Sequence, residues 1–445
     1  MTILSIAAQL ILCLSILVIL HECGHFFPAK WFKTRVEKFY LFFNPGFSLF
    51  KKQIGETEYG IGWIPFGGYV KIAGMIDESM DTEQMLQEPQ PWEFRSKPAW
   101  QRLIIMLGGV TVNFILGIII FAGIMWYFGE TYIKGQDSKY GVYATKLGKE
   151  VGIEDGDMII SIGDVAFEKF NPGVVTQEIV LNDPEFLTVK RDGNDLNLPI
   201  PVGMAEKLTK HENKGLGLFG LRMPQKVTGV SKKYPAGKIG IEVDDQIIAV
   251  NDTSTYWRHE FLDILKNKEN QDVSLTVLRN GSDTLTFTTN LGEKGQLGVN
   301  SAAGDKFFDL QKQKYSLGAA IPKGWDMSVN FLGSQLKAFK QMFTGKIKAT
   351  DSLGSVFSIA NMFDPGWDWE TFWRITAMLS ILLGFFNLLP IPALDGGYVM
   401  FLIWEVITGR KPNDKFMEYA TIVGFFILIA LMIFALGLDV SKWFK

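Results

Sequence analysis

Cysteine is nearly missing from this chain: Cys13 and Cys23 are the two examples in 445 residues. They fall ten residues apart on one apolar stretch, about 15 Å along a helix, so they cannot bridge. A disulfide-built secreted scaffold is therefore excluded. Histidine is scarce as well, at four residues, which makes any cluster of them informative. An excess of positive charge is also absent. Lys and Arg total 44 against 47 Asp and Glu, for a net charge of −3, and this excludes a globally basic surface for nucleic acid. What the chain has in quantity is apolar side chains, 47% of residues with 35 Phe among them. They crowd toward both ends while charge gathers in the middle, the pattern of a membrane protein carrying a soluble insert.

The first apolar stretch, Ile3 to Leu20, contains nothing more polar than Ser5, Gln9 and Ser15. As a helix its 18 residues reach about 27 Å, nearly the thickness of a bilayer core. No Lys or Arg precedes Lys30 and no small-residue cleavage pattern follows Leu20, so it reads as a retained span rather than a signal peptide. Further spans are expected at about Leu103–Phe128, Phe372–Leu389 and Tyr419–Leu438. Lys30, Lys33, Arg35 and Lys38 follow the first span, Arg102 precedes the second, and Arg410, Lys411 and Lys415 separate the last two. By the positive-inside rule these loops are cytoplasmic, which places the stretch from about 130 to 370 outside.

That insert repeats itself. Gly152-Ile153-Glu154-Asp155-Gly156-Asp157-Met158-Ile159-Ile160 returns 88 residues later as Gly240-Ile241-Glu242-Val243-Asp244-Asp245-Gln246-Ile247-Ile248. In each copy an acidic turn leads into a short strand, Met158–Ile162 and Gln246–Val250, and Val273–Leu278 and Thr284–Thr289 also alternate as strands do. The pattern resembles PDZ domains, which implies two β-rich domains over 135–212 and 213–295. PDZ domains commonly add a peptide at a sheet edge, so the copies are expected either to bind peptides or to act as a steric plug. After them, Trp325, Val329, Leu332, Leu336, Phe339 and Phe343 make one stripe on a helix within a 315–364 connector. That helix lies on the membrane surface or packs on the spans.

The chemistry sits where two spans end. His21-Glu22-Cys23-Gly24-His25 follows the first span directly, and the two His, four apart, share one face of a continuing helix. They can bind one metal, with Glu22 beside them to take a proton from water, while Cys23 reads as a small filler. A catalytic zinc normally takes three protein ligands. His211 and His259 lie in the insert, so the third ligand should be an acid in a cytoplasmic segment. The third span ends in Asn387-Leu388-Leu389-Pro390-Ile391-Pro392-Ala393-Leu394-Asp395-Gly396-Gly397. Prolines break the helix there and glycines let the backbone bend. Asp395 is thus presented on the same side as the two His, either as the third ligand or as an N-cap of the following helix.

HECGH after the first span, NLLPIPALDGG after a later one, and PDZ-like repeats between them resemble the site-2 intramembrane metalloproteases. The resemblance covers essentially the whole chain and implies a fold of about four transmembrane helices in two membrane regions, 1–128 and 370–445. It adds a membrane-associated β-hairpin or sheet over 37–76 and two extracytoplasmic PDZ-like domains. It implies one Zn2+ per chain, with His21, His25 and Asp395 as ligands and Glu22 as catalytic residue. Gly60 to Ala73 is similar to a β-hairpin that holds substrate by strand addition, which gives Gly67, Gly68, Tyr69 and Val70 that role; an ordinary surface hairpin is the other reading. Asn387, Pro390 and Pro392 fall where the family lines its cleft, and Asn113 matches a family Asn. Gly108-Gly109-Val110 and the connector Leu353–Ala360 depart from the family by lacking a proline.

The implied activity is hydrolysis of peptide bonds in or near the span of single-span membrane proteins, such as anti-sigma factors or remnant signal peptides, after a prior outer cut. The implied setting is a bacterial inner membrane with the active site toward the cytoplasm. A helix satisfies its own amides, so such a substrate must unwind, and pairing with Gly60–Ala73 would stabilise the extended form. The alternatives are a membrane-anchored PDZ scaffold with a four-ligand structural metal, a metal transporter, and a metalloprotease acting on soluble substrates.

Overall fold

The computed structural model describes residues 2–75, 88–135, 138–213, 215–232, 234–266, 268–292, 295–301, 307–348 and 356–443. Ile76, the end of the expected β region, and Leu353–Ser355, the start of the connector stretch, lie outside them. The chain divides into two compact units, one of residues 1–129, 314–336 and 353–445, the other of 130–313 and 337–352.

In the first unit, α1 (Thr2–Trp31) runs on well past Leu20, because nothing before Pro28 interrupts its helical sequence and a proline that late forfeits little of the ladder. The HECGH residues are therefore part of the span's own helix. Then come α2 (Ala99–Tyr127), α3 (Leu317–Phe343, of which 317–336 belong to this unit), α4 (Trp369–Leu388), α5 (Asp395–Thr408) and α6 (Asp414–Trp443). Among the described residues, four helices are long and apolar enough to cross a membrane: α1, α2, α4 and α6. Small residues let them approach closely. Gly117 of α2 leaves room for Ile381 of α4, and Gly384 of α4 for Phe114 of α2. On α3 the row that packs is Ala320, Gly324, Met327 and Phe331, with Gly324 against the α2 backbone at Ile118 and Ala122. Of the expected stripe, Trp325, Val329, Leu336 and Phe343 face outward, while Leu332 packs with Met327 and Phe331.

Between α1 and α2 the chain forms β1 (Val36–Phe43), β2 (Phe50–Ile54), β3 (Thr57–Ile61) and β4 (Ile64–Ile72). Their order is β2-β3-β1-β4, with β1 parallel to β3 and antiparallel to β4. Gly60–Ala73 is thus not a hairpin, since β1 separates its two strands. β4 runs for nine residues straight through Pro65 and Gly67. As an edge strand it does not need every N–H paired, and Gly67, at φ +80°, sits where the register slips between Leu41 and Phe43.

The second unit contains the duplication. Its first copy has β5 (Met158–Ile162), β6 (Val165–Ala166), β7 (Phe186–Arg191) and β8 (Asn194–Pro199), in the order β6-β5-β7-β8. The second has β9 (Gln246–Val250), β10 (Thr253–Ser254), β11 (Asp272–Arg279) and β12 (Asp283–Asn290), in the order β10-β9-β11-β12. Even the bulges correspond, between Ile159 and Ser161 and between Ile247 and Ala249. Each copy buries its own core, around Ile159, Leu187 and Val189 in one and Ile247, Leu275 and Val277 in the other. In each, an Arg at the end of a strand clamps the acidic turn. Arg191 bonds both carboxylate oxygens of Asp157 and the Gly152 carbonyl, and Arg279 does the same to Asp245 and Gly240.

Candidate metal centre

One turn of α1 puts His21 and His25 side by side, their Nε2 atoms 3.3 Å apart and both side chains buried. Asp395 Oδ2 lies 3.3 Å from each Nε2. The three atoms therefore mark an equilateral triangle. In tetrahedral coordination with Zn–N and Zn–O bonds of about 2.0–2.1 Å, ligand atoms stand about 3.3–3.4 Å apart. The residues fit a zinc ion on that geometry, as three corners of a tetrahedron with the fourth left over.

Hydrogen bonding points the same way. His25 Nδ1 meets the Ile105 carbonyl of α2 at 2.9 Å, so it carries the hydrogen and Nε2 keeps a bare lone pair. His21 Nδ1 lies 3.0 Å from the Asn113 amide. With the amide oxygen turned to it, Nδ1 donates and the otherwise unpartnered Asn113 Oδ1 is satisfied. The centre then holds two imidazole lone pairs and a carboxylate oxygen, Asp395 Oδ2, that has no hydrogen-bond donor. Three acceptors facing one another in a buried place call for a cation.

The backbone that delivers Asp395 is tightly built. After Leu388 the helix stops, Ala393 takes φ +81°, and Asp395 opens α5 as its first helical residue, with Leu394 as N-cap. A Cβ on Gly396 would stand 2.2 Å from the Leu389 carbonyl oxygen, and one on Gly397 2.6 Å from Pro392 Cα. The two glycines are what let the first turn of α5 fold back on the Leu388–Pro392 loop.

Glu22 lines a cavity of about 550 Å³ together with His21, His25 and Asp395. Its carboxylate accepts a hydrogen bond from the Val70 backbone. Gly68, Tyr69, Val70 and Asn387 also line this cavity, and Asn387 Nδ2 stands 3.2 Å from His21 Nε2. The remaining expected residues sit elsewhere. Gly67 lies at the register slip, and Asn113 is fully buried behind His21. Pro390 is exposed, and the Pro392 carbonyl packs on Gly424 of α6.

Several contributors escape a motif search. Ile105 acts through its carbonyl, which any residue possesses. Gly109 leaves space for both rings: a Cβ there would lie 2.4 Å from His25 Nε2 and 2.7 Å from His21 Cε1. Thr421 of α6 and Tyr398 of α5 line the cavity from helices with no recognisable motif at those positions.

Comparison with known proteins gives a match to peptidase family M50 over residues 9–431. The chain belongs to that family. A regulator of sigma E protease from Haemophilus influenzae is 26% identical, covering 96% of this chain and 97% of its own. The regulator of sigma-E protease RseP of Salmonella typhimurium is also 26% identical, over 98% of both chains. A protein of Rickettsia conorii assigned by name as a zinc metalloprotease is 28% identical, over 98% of both. M50 peptidases are the site-2 proteases that the two motifs resemble.

Proposed function

We propose that this chain is an intramembrane zinc metalloprotease that cleaves single-span membrane proteins in or near their spans, as part of regulated proteolysis. The observation that carries the reading is the 3.3 Å triangle of His21, His25 and Asp395 with Glu22 on the same cavity. The triangle supplies three protein donors where a structural zinc would take four, and this favours a catalytic site over a scaffold.

His21, His25 and Asp395 would hold one zinc per chain. When bound, the ion polarises a carbonyl and acidifies water. Glu22 takes the proton and returns it to the leaving amine, and the Val70 N–H holds its carboxylate in place for both transfers. Among the described strands β4 has one neighbour, β1, which leaves its other edge for an extended substrate. Gly68, Tyr69 and Val70 would pair there, and Asn387 would contact substrate near the centre. Asn113 fits better as a support of His21.

In this reading the chain lies in an inner membrane, with the cavity toward the cytoplasm by the positive-inside pattern. The two repeats are PDZ-like domains that bind peptide ends or exclude substrates with bulky outer domains. The test is cleavage of a single-span reporter by purified protein in detergent. Glu22→Gln should abolish product while metal content stays at one per chain, and a chelator should abolish product from wild type. Product from Glu22→Gln would sink the assignment.

A further inference from the structure

The two repeats differ in one connection. In the second copy the chain passes from β12 to the strand Val299–Ser301 through residues 291–298. The first copy makes the same link, from β8 to the strand Phe219–Leu221, through residues 200–218. This path is more than twice as long, and it holds an added helix, Met204–Thr209. That helix packs along the helix Pro172–Asn182 of its own repeat, with Met204 and Leu208 buried in the cluster that contains Val175 and Ile179. Val175 and Ile179 are the fourth and eighth residues of their helix, and the residues in those places of the helix Arg258–Leu265 are Phe261 and Leu265. There the same face is open. Phe261, Leu262, Leu265, Leu297 and Val299 line a cavity of about 570 Å³.

The second copy buries Phe261 in its core although, among the described residues, no helix covers this face. The added helix is therefore not needed to complete the domain. Six residues are too few to hold a helix by themselves. Its ion pairs, Lys207 with Glu150 and Lys348 with Glu206, lie at the surface and contribute little. Burial of Met204 and Leu208 is what keeps it in place. On each side stands a glycine with open space at its Cβ, Gly203 at φ +83° and Gly215 at φ +83°, where the backbone can turn without a side-chain clash. We infer that Met204–Thr209 is a lid: it fills the groove of the first repeat from within the chain, leaves the second repeat as the copy open to a peptide, and on release uncovers a second groove of the same kind. In each copy the strand beside the groove, Phe219–Leu221 or Val299–Ser301, has one neighbour among the described strands, which leaves an edge for strand addition. The inference rests on the PDZ-like reading of the repeats.

The test uses the full-length protein in detergent and reads thiol reactivity toward a maleimide, residue by residue, by mass spectrometry. Ile179→Cys should react at least roughly tenfold more slowly than Leu265→Cys, because reaction waits on local opening. Adding Leu208→Ser should bring the two rates within about threefold, while Val189→Cys, in the core of the first repeat, stays unreactive. Equal rates at Ile179→Cys and Leu265→Cys without Leu208→Ser would show an open groove and overturn the lid. So would a rate at Ile179→Cys that Leu208→Ser leaves unchanged, or one that rises together with Val189→Cys, since the helix would then be part of the domain's fold. In parallel, a fluorescein-labelled heptapeptide ending in Val with a free carboxylate is titrated into the protein. Wild type should bind one equivalent per chain and Leu208→Ser two. Two equivalents in wild type, or one in both forms, overturn the inference. No peptide bound by either form, with the thiol pattern as expected, would leave the lid standing and remove the peptide-binding reading of the repeats instead.

Discussion

Gly24 and Gly108 meet backbone to backbone: a Cβ on Gly108 would lie 1.8 Å from the Gly24 carbonyl oxygen. The crossing of α1 and α2 is set at this point, and the next residue, Gly109, faces both imidazoles. The candidate metal centre is thus shaped as much by missing side chains as by the three that would hold an ion. Gly109→Ala should lower zinc affinity at least tenfold, roughly 1.4 kcal/mol, in competition with a chromophoric chelator. Gly123→Ala on the same helix, with open space at its Cβ, should leave affinity as it is.

Asn113 should matter through His21 alone. Asn113→Ala removes the partner of Nδ1, and loss of such an outer partner costs about 10–100-fold in metal affinity. Asn113→Asp keeps an acceptor and should recover most of it. Equal losses in both variants would show that the amide packs rather than orients the ring.

Arg102 in the first turn of α2 pairs with Glu405 near the end of α5, and its Nε also donates to the Lys97 carbonyl at 2.9 Å. Both side chains are nearly covered. Removing one partner strands the other, so Arg102→Ala should destabilise the membrane unit by about 3 kcal/mol. Thermal unfolding in detergent measures this, and the exchanged pair Arg102→Glu/Glu405→Arg should regain part of it.

The second repeat should weaken in acid. Burial opposes ionisation of Asp245 most strongly, but hydrogen bonds from Arg279 and the Glu242 N–H outweigh it and hold the carboxyl below the usual range. A group depressed in the folded state lends stability above its unfolded pKa, near 4, and withdraws it as pH falls through the folded value. Amide protection factors over residues 240–290 should fall as pH drops below about 4. Asp245→Asn should flatten that dependence.

Legibility followed the range of the interactions. His21 and His25 could be paired because helical spacing is local, and Asp395 because a zinc site needs a third donor on a break in apolar sequence. The strands Met158–Ile162 and Gln246–Val250 appear where alternation and the repeat place them. Arg191 and Arg279 stand 88 residues apart like the turns they clamp, yet they fall outside the matched stretch, so the repeat alone does not single them out. Sheet order was beyond reach. Nothing in Val36–Phe43 announces that it inserts between β3 and β4, because pairing partners are chosen by tertiary packing rather than by local pattern. Gly108 and Gly109 were visible as a departure, but their purpose depends on the backbone they face.

The separation of the three donors along the chain has a consequence for biosynthesis. Asp395 follows His25 by 370 residues, so a ribosome adding about 5–20 residues per second exposes the histidine pair roughly 20–70 s before the carboxylate exists. Through that interval the nascent chain holds at most two of the donors. A membrane-embedded hydrolase assembled in this order stays inert beside the other newly inserted helices until its own last spans are in place.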